Sequence, residues 1–296
     1  MTSFPSPEVL ARFQIQNVVS ALGGRFNQHW LVESKGNRFV LRRWAYGIEQ
    51  AKYETRLLTE IAALGWPVTV PGEGPIPVAE GGMSAGPPVW SLAPFLQGQP
   101  RGVKNTPEEQ RHRGRLLAEF HASLARLPAL PQRPGWRRCE TILADPGLDA
   151  LLFAKEHERP EDIAILRHYL DEARRRLEGI ELPSRPHQLI HGDFTHWNLL
   201  FEDGRLSGVL DFELAHLDHR VAEFANSWRG LYDDVILAYD EVAPLEPEEW
   251  SMIVPVWWAQ LLEGICQNLR AGTWDDGWTV TKIQSRSALF EKGALG

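Results

Sequence analysis

Leu189-Ile190-His191-Gly192-Asp193-Phe194-Thr195-His196-Trp197-Asn198-Leu199-Leu200-Phe201-Glu202 runs on into Asp203-Gly204-Arg205-Leu206-Ser207-Gly208-Val209-Leu210-Asp211-Phe212-Glu213. Asp203-Gly204 lies between two apolar-patterned runs, which is the signal of a hairpin with a two-residue turn. Pairing Glu202 with Arg205 sets Asn198 opposite Val209, with Asp211 two residues further along the same strand face. Diagonal neighbours of this kind lie roughly 7–8 Å apart at the backbone, so an amide oxygen and a carboxylate can close on one divalent ion. Magnesium held in this way completes its shell with phosphate oxygens and water. Asp193 precedes the hairpin, in the loop leaving Leu189-Ile190. A carboxylate beside a metal-bound phosphate can orient a hydroxyl and take its proton.

Upstream, the chain is strand-rich. Val32-Glu33-Ser34 and Arg38-Phe39-Val40-Leu41 flank Lys35-Gly36-Asn37 and read as a second hairpin. Tyr53, Leu57, Leu58, Ile61 and Leu64 recur at helical spacing across 49–64. Residues 66–100 hold eight prolines, which excludes helix and suits strands and turns. After Pro100 the pattern turns helical. Thr106-Pro107-Glu108-Glu109 carries a capping threonine, proline at the first helical position and an acid three residues after the cap. Further helices are expected over 164–177 and within 246–269, where Pro255 interrupts a helical reading of 252–259. The fold class expected is α+β. A small antiparallel-sheet lobe with one helix and the hinge occupies 1–97, and a larger helical lobe occupies 98–296.

The chain has 296 residues, 43% of them hydrophobic and 24% charged, which excludes collagen-like and disordered classes. A net charge of −8 excludes a general nucleic-acid binder, which needs a basic surface. Cys139 and Cys266 are the only cysteines, so neither a disulfide framework nor a cysteine-rich zinc site is available. No membrane span and no secretory signal is visible, and a cytoplasmic protein is expected.

His191-x-Asp193 followed by Asn198, with Asp211 downstream, has the order and spacing of a kinase catalytic loop and its metal-binding aspartate. Taken with Leu210-Asp211-Phe212-Glu213, it resembles the aminoglycoside phosphotransferase and choline kinase family, small-molecule kinases with a protein-kinase-like two-lobe fold. The resemblance covers about residues 18–226. It implies that Leu22-Gly23-Gly24-Arg25-Phe26-Asn27 covers the phosphates, through Gly24 and Asn27. It makes Phe39-Val40-Leu41-Arg42 the third strand and Glu54 the helix glutamate. Leu92-Ala93-Pro94-Phe95-Leu96-Gln97-Gly98 becomes the hinge, and His121 falls in a helix motif. The activity implied is magnesium-dependent transfer of the γ-phosphate of ATP to a hydroxyl of an amino alcohol, sugar or aminoglycoside-like acceptor. Asp193 would be the base, and Asn198 and Asp211 the metal ligands.

One departure from the family concerns the third strand, where Arg42 and Arg43 stand and no lysine does. Alternation sends the two arginines to opposite faces, and Arg42, paired with Glu54, is the one expected at the phosphates. At the hinge, the Pro94 carbonyl accepts from the adenine amino group and the Leu96 N–H serves a ring nitrogen.

The arginine is also the one feature favouring a second reading, a nucleotide-binding pseudokinase without transfer. Among acceptors, the hairpin resembles bacterial homoserine kinases of this superfamily. His191 reads as a structural residue steadying its loop, and Glu213 as either a second metal contact or a surface or capping group. Trp257 and Trp258 read as core, while Trp274-Asp275-Asp276-Gly277-Trp278 reads as a solvated acidic turn. His196, His216 and His219 lack a His-Glu-x-x-His frame, which argues against a zinc hydrolase. The absence of any Gly-Lys dipeptide excludes a P-loop, and no Ala-Pro-Glu follows Asp211 as in a protein kinase.

Overall fold

The computed structural model describes residues 4–24, 27–80, 87–182, 187–273, 278–293 and 295. The elements in chain order are α1 (Pro7–Arg12), β1 (Asn17–Gly23), β2 (Gln28–Ser34), β3 (Asn37–Trp44), α2 (Ile48–Ala63), β4 (Glu73–Pro77), β5 (Val89–Pro94) and β6 (Gln99–Pro100). They continue with α3 (Pro107–Leu124), α4 (Cys139–Leu143), α5 (Pro146–Lys155), α6 (Pro160–Leu177), β7 (Gln188–Ile190), β8 (Leu199–Glu202), β9 (Arg205–Val209) and β10 (His216–Asp218). The last are α7 (Phe224–Ser227), α8 (Asp233–Asp240), α9 (Pro247–Arg270), α10 (Trp278–Ile283) and α11 (Ala288–Glu291).

Two compact units form. The first joins residues 1–101 to 197–213, and the second holds 102–196 and 214–296. The β8–β9 hairpin therefore groups with the N-terminal unit, whereas the division expected at residue 97 assigns it to the helical lobe.

In the first unit an antiparallel sheet runs β1-β2-β3-β5-β4. The β2–β3 turn is Lys35-Gly36, both at positive φ (50° and 77°), and Ser34 pairs with Asn37. One sheet face packs Trp30, Val32, Leu41, Trp90 and Leu92 against Val9 and Phe13 around α1, with Trp30 and Trp90 ring centroids 5.4 Å apart. Helix α2 buries Ala51, Tyr53, Glu54, Leu57, Leu58 and Ile61. A smaller sheet runs β6-β8-β9.

The second unit is mainly helical, its core built on α3, α6 and α9. Thr106 caps α3 through a complete capping box with Glu109, which satisfies N–H groups that the first turn leaves without helical partners. Helix α9 continues through Pro255 as a single 24-residue helix, contrary to the break expected there. Its run from Met252 to Ala259 is buried, and that burial outweighs the backbone hydrogen bond proline cannot make. Trp257 and Trp258 lie in the core, and Trp228 packs edge-on against Trp257 at 5.1 Å. The acidic turn at 274–277 lies outside the described residues. No helix among them is long and apolar enough to cross a membrane.

Candidate active site

The first unit contains a cavity of about 430 Å³, within the usual range for a small-molecule site. Its wall is gathered from the Gly23-Gly24 end of β1, one face of β3, the hinge after β5 and the ends of the β8–β9 hairpin, with His29 from β2 and Glu54 and Leu58 from α2.

On β3, alternation puts Val40, Arg42 and Trp44 on the cavity side. Arg43 points the other way, to Gln28 Oε1 at 3.5 Å and Glu80 at 3.9 Å. Arg42 Nη1 bonds Glu54 Oε1, its Nη2 lies 3.5 Å from Glu54 Oε2, and its guanidinium carbon sits 3.8 Å above the Trp44 ring. Trp44 is fixed in turn by Nε1 donating to Ser91 Oγ at 3.0 Å. Arg42 lines the cavity, and its Nε is buried with no hydrogen-bond partner among the described residues. His29, also in the wall, has its pKa lowered to about 4 by burial and then by the Arg42 charge; it is neutral at pH 7.

Gly24 has φ +128°, and a Cβ there would fall 1.9 Å from the Asn27 carbonyl oxygen; only glycine fits this bend. The remaining loop residues, Arg25 and Phe26, lie outside the described residues. Asn27 departs from the phosphate role expected of it. It is buried away from the cavity wall, its Oδ1 accepting from Ala45 N at 2.9 Å and its Nδ2 donating to Glu213 Oε2. Pro94 and Leu96 line the cavity with Ala93 and Phe95.

Asn198 and Asp211 stand in the same wall, by a route that alternation alone does not predict. Asp203-Gly204 makes the turn, at φ 48° and 78°, with Glu202 paired to Arg205 and Phe201 to Leu206. A bulge then shifts the register, so Leu200 pairs with Gly208 and Leu199 with Val209. The expected Asn198–Val209 pairing is thus off by one, and Leu210 N donates to Asn198 O at 2.8 Å. A one-residue slip reverses side-chain facing. Asp211 compensates by leaving the strand with φ +64°, a left-handed conformation uncommon outside glycine. The bulge is anchored by Ser207 Oγ donating to Gln97 O at 2.7 Å. Gly98 permits this approach, because a Cβ on it would meet Ser207 Oγ at 2.3 Å.

An amide oxygen with a carboxylate is a hard-oxygen donor set that suits magnesium. The glycine bend and the Arg42 guanidinium in the cavity wall suit a polyphosphate. The residues present fit both groups.

In the second unit, the loop bearing Asp193 is held from beneath. Glu223 is fully buried and accepts from His191 N (2.7 Å) and Gly192 N (3.1 Å) with Oε2, and from Phe194 N (3.2 Å) with Oε1. His121 Nε2 lies 3.4 Å from the same carboxylate, and its Nδ1 lies 2.9 Å from the Tyr239 hydroxyl. Burial alone pushes the Glu223 pKa up, but bonding to His121, the charges of His121 and His191 and the Gly192 N–H bring it below the usual value. Burial takes the Tyr239 pKa up to about 12. His191 is buried, and its Nδ1 accepts from Asp193 N at 3.2 Å, a structural role. Gly192 (φ +79°) leaves no room for a side chain, since a Cβ would meet Leu214 O at 2.5 Å. Asn226 Nδ2 donates to Gly192 O at 2.7 Å, and Arg229 Nη2 reaches Asp193 Oδ1 at 3.4 Å. Glu223, Asn226 and Arg229 are absent from the sequence reading. An acid in an otherwise apolar run, Val221-Ala222-Glu223-Phe224-Ala225, is the signal that could have found the first.

Cys139, Glu140, Asp218 and His219 bring ligand atoms within 4.8 Å of one another. Asp218 Oδ1 already accepts from His219 N, its Oδ2 lies 3.1 Å from His216 Nε2, and Glu140 Oε1 pairs with Arg138 Nε at 2.8 Å.

The fold and the residues gathered on it define a protein-kinase-like phosphotransferase acting on hydroxyl groups of small molecules. Residues 18–248 match the family described as "Phosphotransferase enzyme family", and the chain belongs to it. A homoserine kinase from Polaromonas naphthalenivorans (strain CJ2) is 26% identical over 286 residues, covering 85% of this chain and 82% of the relative. Among solved structures, a thermostable mutant of aminoglycoside phosphotransferase APH(4)-Ia superposes with TM-score 0.69 at 17% identity, over 97% of this chain and 98% of its own. A microcompartment-associated aminopropanol kinase gives 0.65 at 17% identity, over 97% and 94%. At these identities the structural likeness speaks for the fold alone.

Proposed function

We propose that this chain transfers the γ-phosphate of ATP to a hydroxyl of a small molecule. The cavity of the first unit takes the nucleotide, and the second unit takes the acceptor. The observation that carries the reading is the presence of Asn198 and Asp211 in one cavity wall with the Arg42–Glu54 pair and the Gly24 bend. Asn198 and Asp211 would hold magnesium, which supplies neutralisation of the triphosphate charge. Arg42 bonds phosphate oxygens, with Glu54 and Trp44 fixing its guanidinium plane. The adenine amino group donates to the Pro94 carbonyl, and the Leu96 N–H donates to a ring nitrogen.

Asp193 accepts the proton of the acceptor hydroxyl as that oxygen bonds to the γ-phosphorus and the bond to the β-bridging oxygen breaks, releasing ADP. Little covalent chemistry falls to the protein; positioning and electrostatics provide the acceleration. The acceptor is an amino alcohol, a sugar or an aminoglycoside-like molecule, and the homoserine kinase relative adds amino acids with a hydroxyl to that range. The cytoplasm, where ATP is available, is the compartment that suits the reaction.

Calorimetry of ATP with magnesium tests the reading. Binding below millimolar concentration is expected for the wild type and its loss for Asp211→Ala. No binding by the wild type at millimolar nucleotide overturns it. A screen of amino alcohols, hydroxy amino acids, sugars and aminoglycosides for ADP release then identifies the acceptor.

A further inference from the structure

We infer that the acceptor is a hydroxy acid whose carboxylate is bound by Arg113 and Arg229 beside Asp193. The inference rests on the phosphotransferase reading and narrows its substrate class. Arg113, on the second turn of α3, is only 3% exposed. Its Nη1 donates to Asn105 Oδ1 at 2.8 Å, and its guanidinium carbon lies 5.6 Å from the Tyr232 ring centroid. Neither partner is a carboxylate. Among the described residues Arg113 has no carboxylate partner and its Nε has no hydrogen-bond partner.

A buried guanidinium without a counter-charge is costly unless a ligand supplies the anion, and its fork matches a carboxylate. The position is rigid. A Cβ on the next residue, Gly114, would meet Val235 O at 2.3 Å, so α3 and α8 meet backbone to backbone.

Asn105 links Arg113 toward the loop of the base, its Nδ2 lying 3.3 Å from His196 Nδ1. Arg229 completes the group. It has φ +59°, its Nε donates to Asn226 O at 2.7 Å, and its Nη2 lies 3.4 Å from Asp193 Oδ1. Such backbone strain in a non-glycine residue is typical of functional sites.

The electrostatics agree. Burial brings the Arg113 pKa down to about 10, with Arg229 lowering it further while Tyr232 and Glu109 oppose. Burial, then Arg113 and Arg229, hold His196 near 4 against Glu109. Two acids face the group: Asp193, whose Oδ1 lies 3.4 Å from Arg229 Nη2, and Glu109, whose carboxylate accepts from Thr106 N at 2.9 Å in the helix cap. Arg229 is opposed by Asp193, whereas Arg113 has no carboxylate partner among the described residues and is the cation that attracts an anion.

The test compares hydroxy acids with their decarboxylated counterparts, beginning with homoserine and 3-aminopropan-1-ol, which differ only by the carboxylate. For the wild type, kcat/KM for the acid is expected to exceed that for the amino alcohol by about 30-fold or more, the usual value of a charge-assisted contact. Arg113→Gln should raise KM for the acid by a similar factor. It should leave kcat, the KM for ATP and the amino alcohol nearly unchanged, and Arg113→Lys should recover part of the loss.

Amino alcohols or aminoglycosides used as well as the acids overturn the inference, as does an Arg113→Gln loss shared equally by all acceptors. Calorimetry of the same acids with Asp193→Asn protein needs no turnover. Binding that disappears with Arg113→Gln supports the inference, and no binding of any acid overturns it. Failure of magnesium and ATP to bind the wild type would instead strike the phosphotransferase reading, leaving the acid-binding result to decide this one.

Discussion

Two buried glutamates organise the two units, and they work in opposite ways. Glu54 holds a side-chain cation, Arg42, in the wall of a ligand cavity. Glu223 holds no arginine or lysine; it collects the N–H groups of His191, Gly192 and Phe194 and so fixes the shape of a loop. In the proposed reading the first arrangement tunes how tightly a nucleotide is gripped. The second decides whether Asp193 has a defined position at all.

The comparison can be broken most severely at the residue Glu223 supports. Asp193→Asn should lower kcat by about 10³-fold or more, within the range of a lost general base, while calorimetry shows nucleotide binding intact. Equal loss of both removes Asp193 from the base role. Next, Glu223→Ala strands three backbone donors in a dry interior, and thermal or urea unfolding should show a loss of about 3 kcal/mol or more. Unchanged stability would mean that the loop holds itself. Glu54→Gln keeps a hydrogen-bonding oxygen but removes the counter-charge of Arg42, so it should lower the melting temperature less than Glu223→Ala does and weaken nucleotide binding by about tenfold, the scale of one charge-assisted bond.

The smallest effect concerns pH. His29 titrates near 4 when folded and near 6.5 when unfolded, so between those values the unfolded chain binds more protons and stability falls as pH falls. Its share of the loss between pH 7 and 5.5 is roughly 1 kcal/mol, and His196 acts in the same direction. A His29→Gln protein with an unaltered acid limb in its melting profile would remove His29 from this account.

Local signals made much of the molecule legible. Asp203-Gly204 marks its turn, Thr106 to Glu109 marks the start of α3, and alternation along β3 separates Arg42 from Arg43. Each depends on neighbours in sequence. The site's finer geometry does not. The bulge at Ser207 rests on a contact with Gln97 that Gly98 alone admits, a tertiary fact more than a hundred residues removed in sequence. The same blindness applies to Glu223, whose partners are backbone groups with no residue signature. Asn27 looked like a loop residue for phosphates, yet its amide ties Ala45 to Glu213. At Pro255 a local rule of helix breaking yielded to burial along α9.

Arg42 has one practical consequence. Amine-selective electrophiles delivered on a nucleotide scaffold label kinases by acylating the lysine that normally occupies this strand. A guanidinium gives such reagents no primary amine to acylate. A chemoproteomic survey built on that reaction would pass over this enzyme even with its nucleotide cleft fully competent.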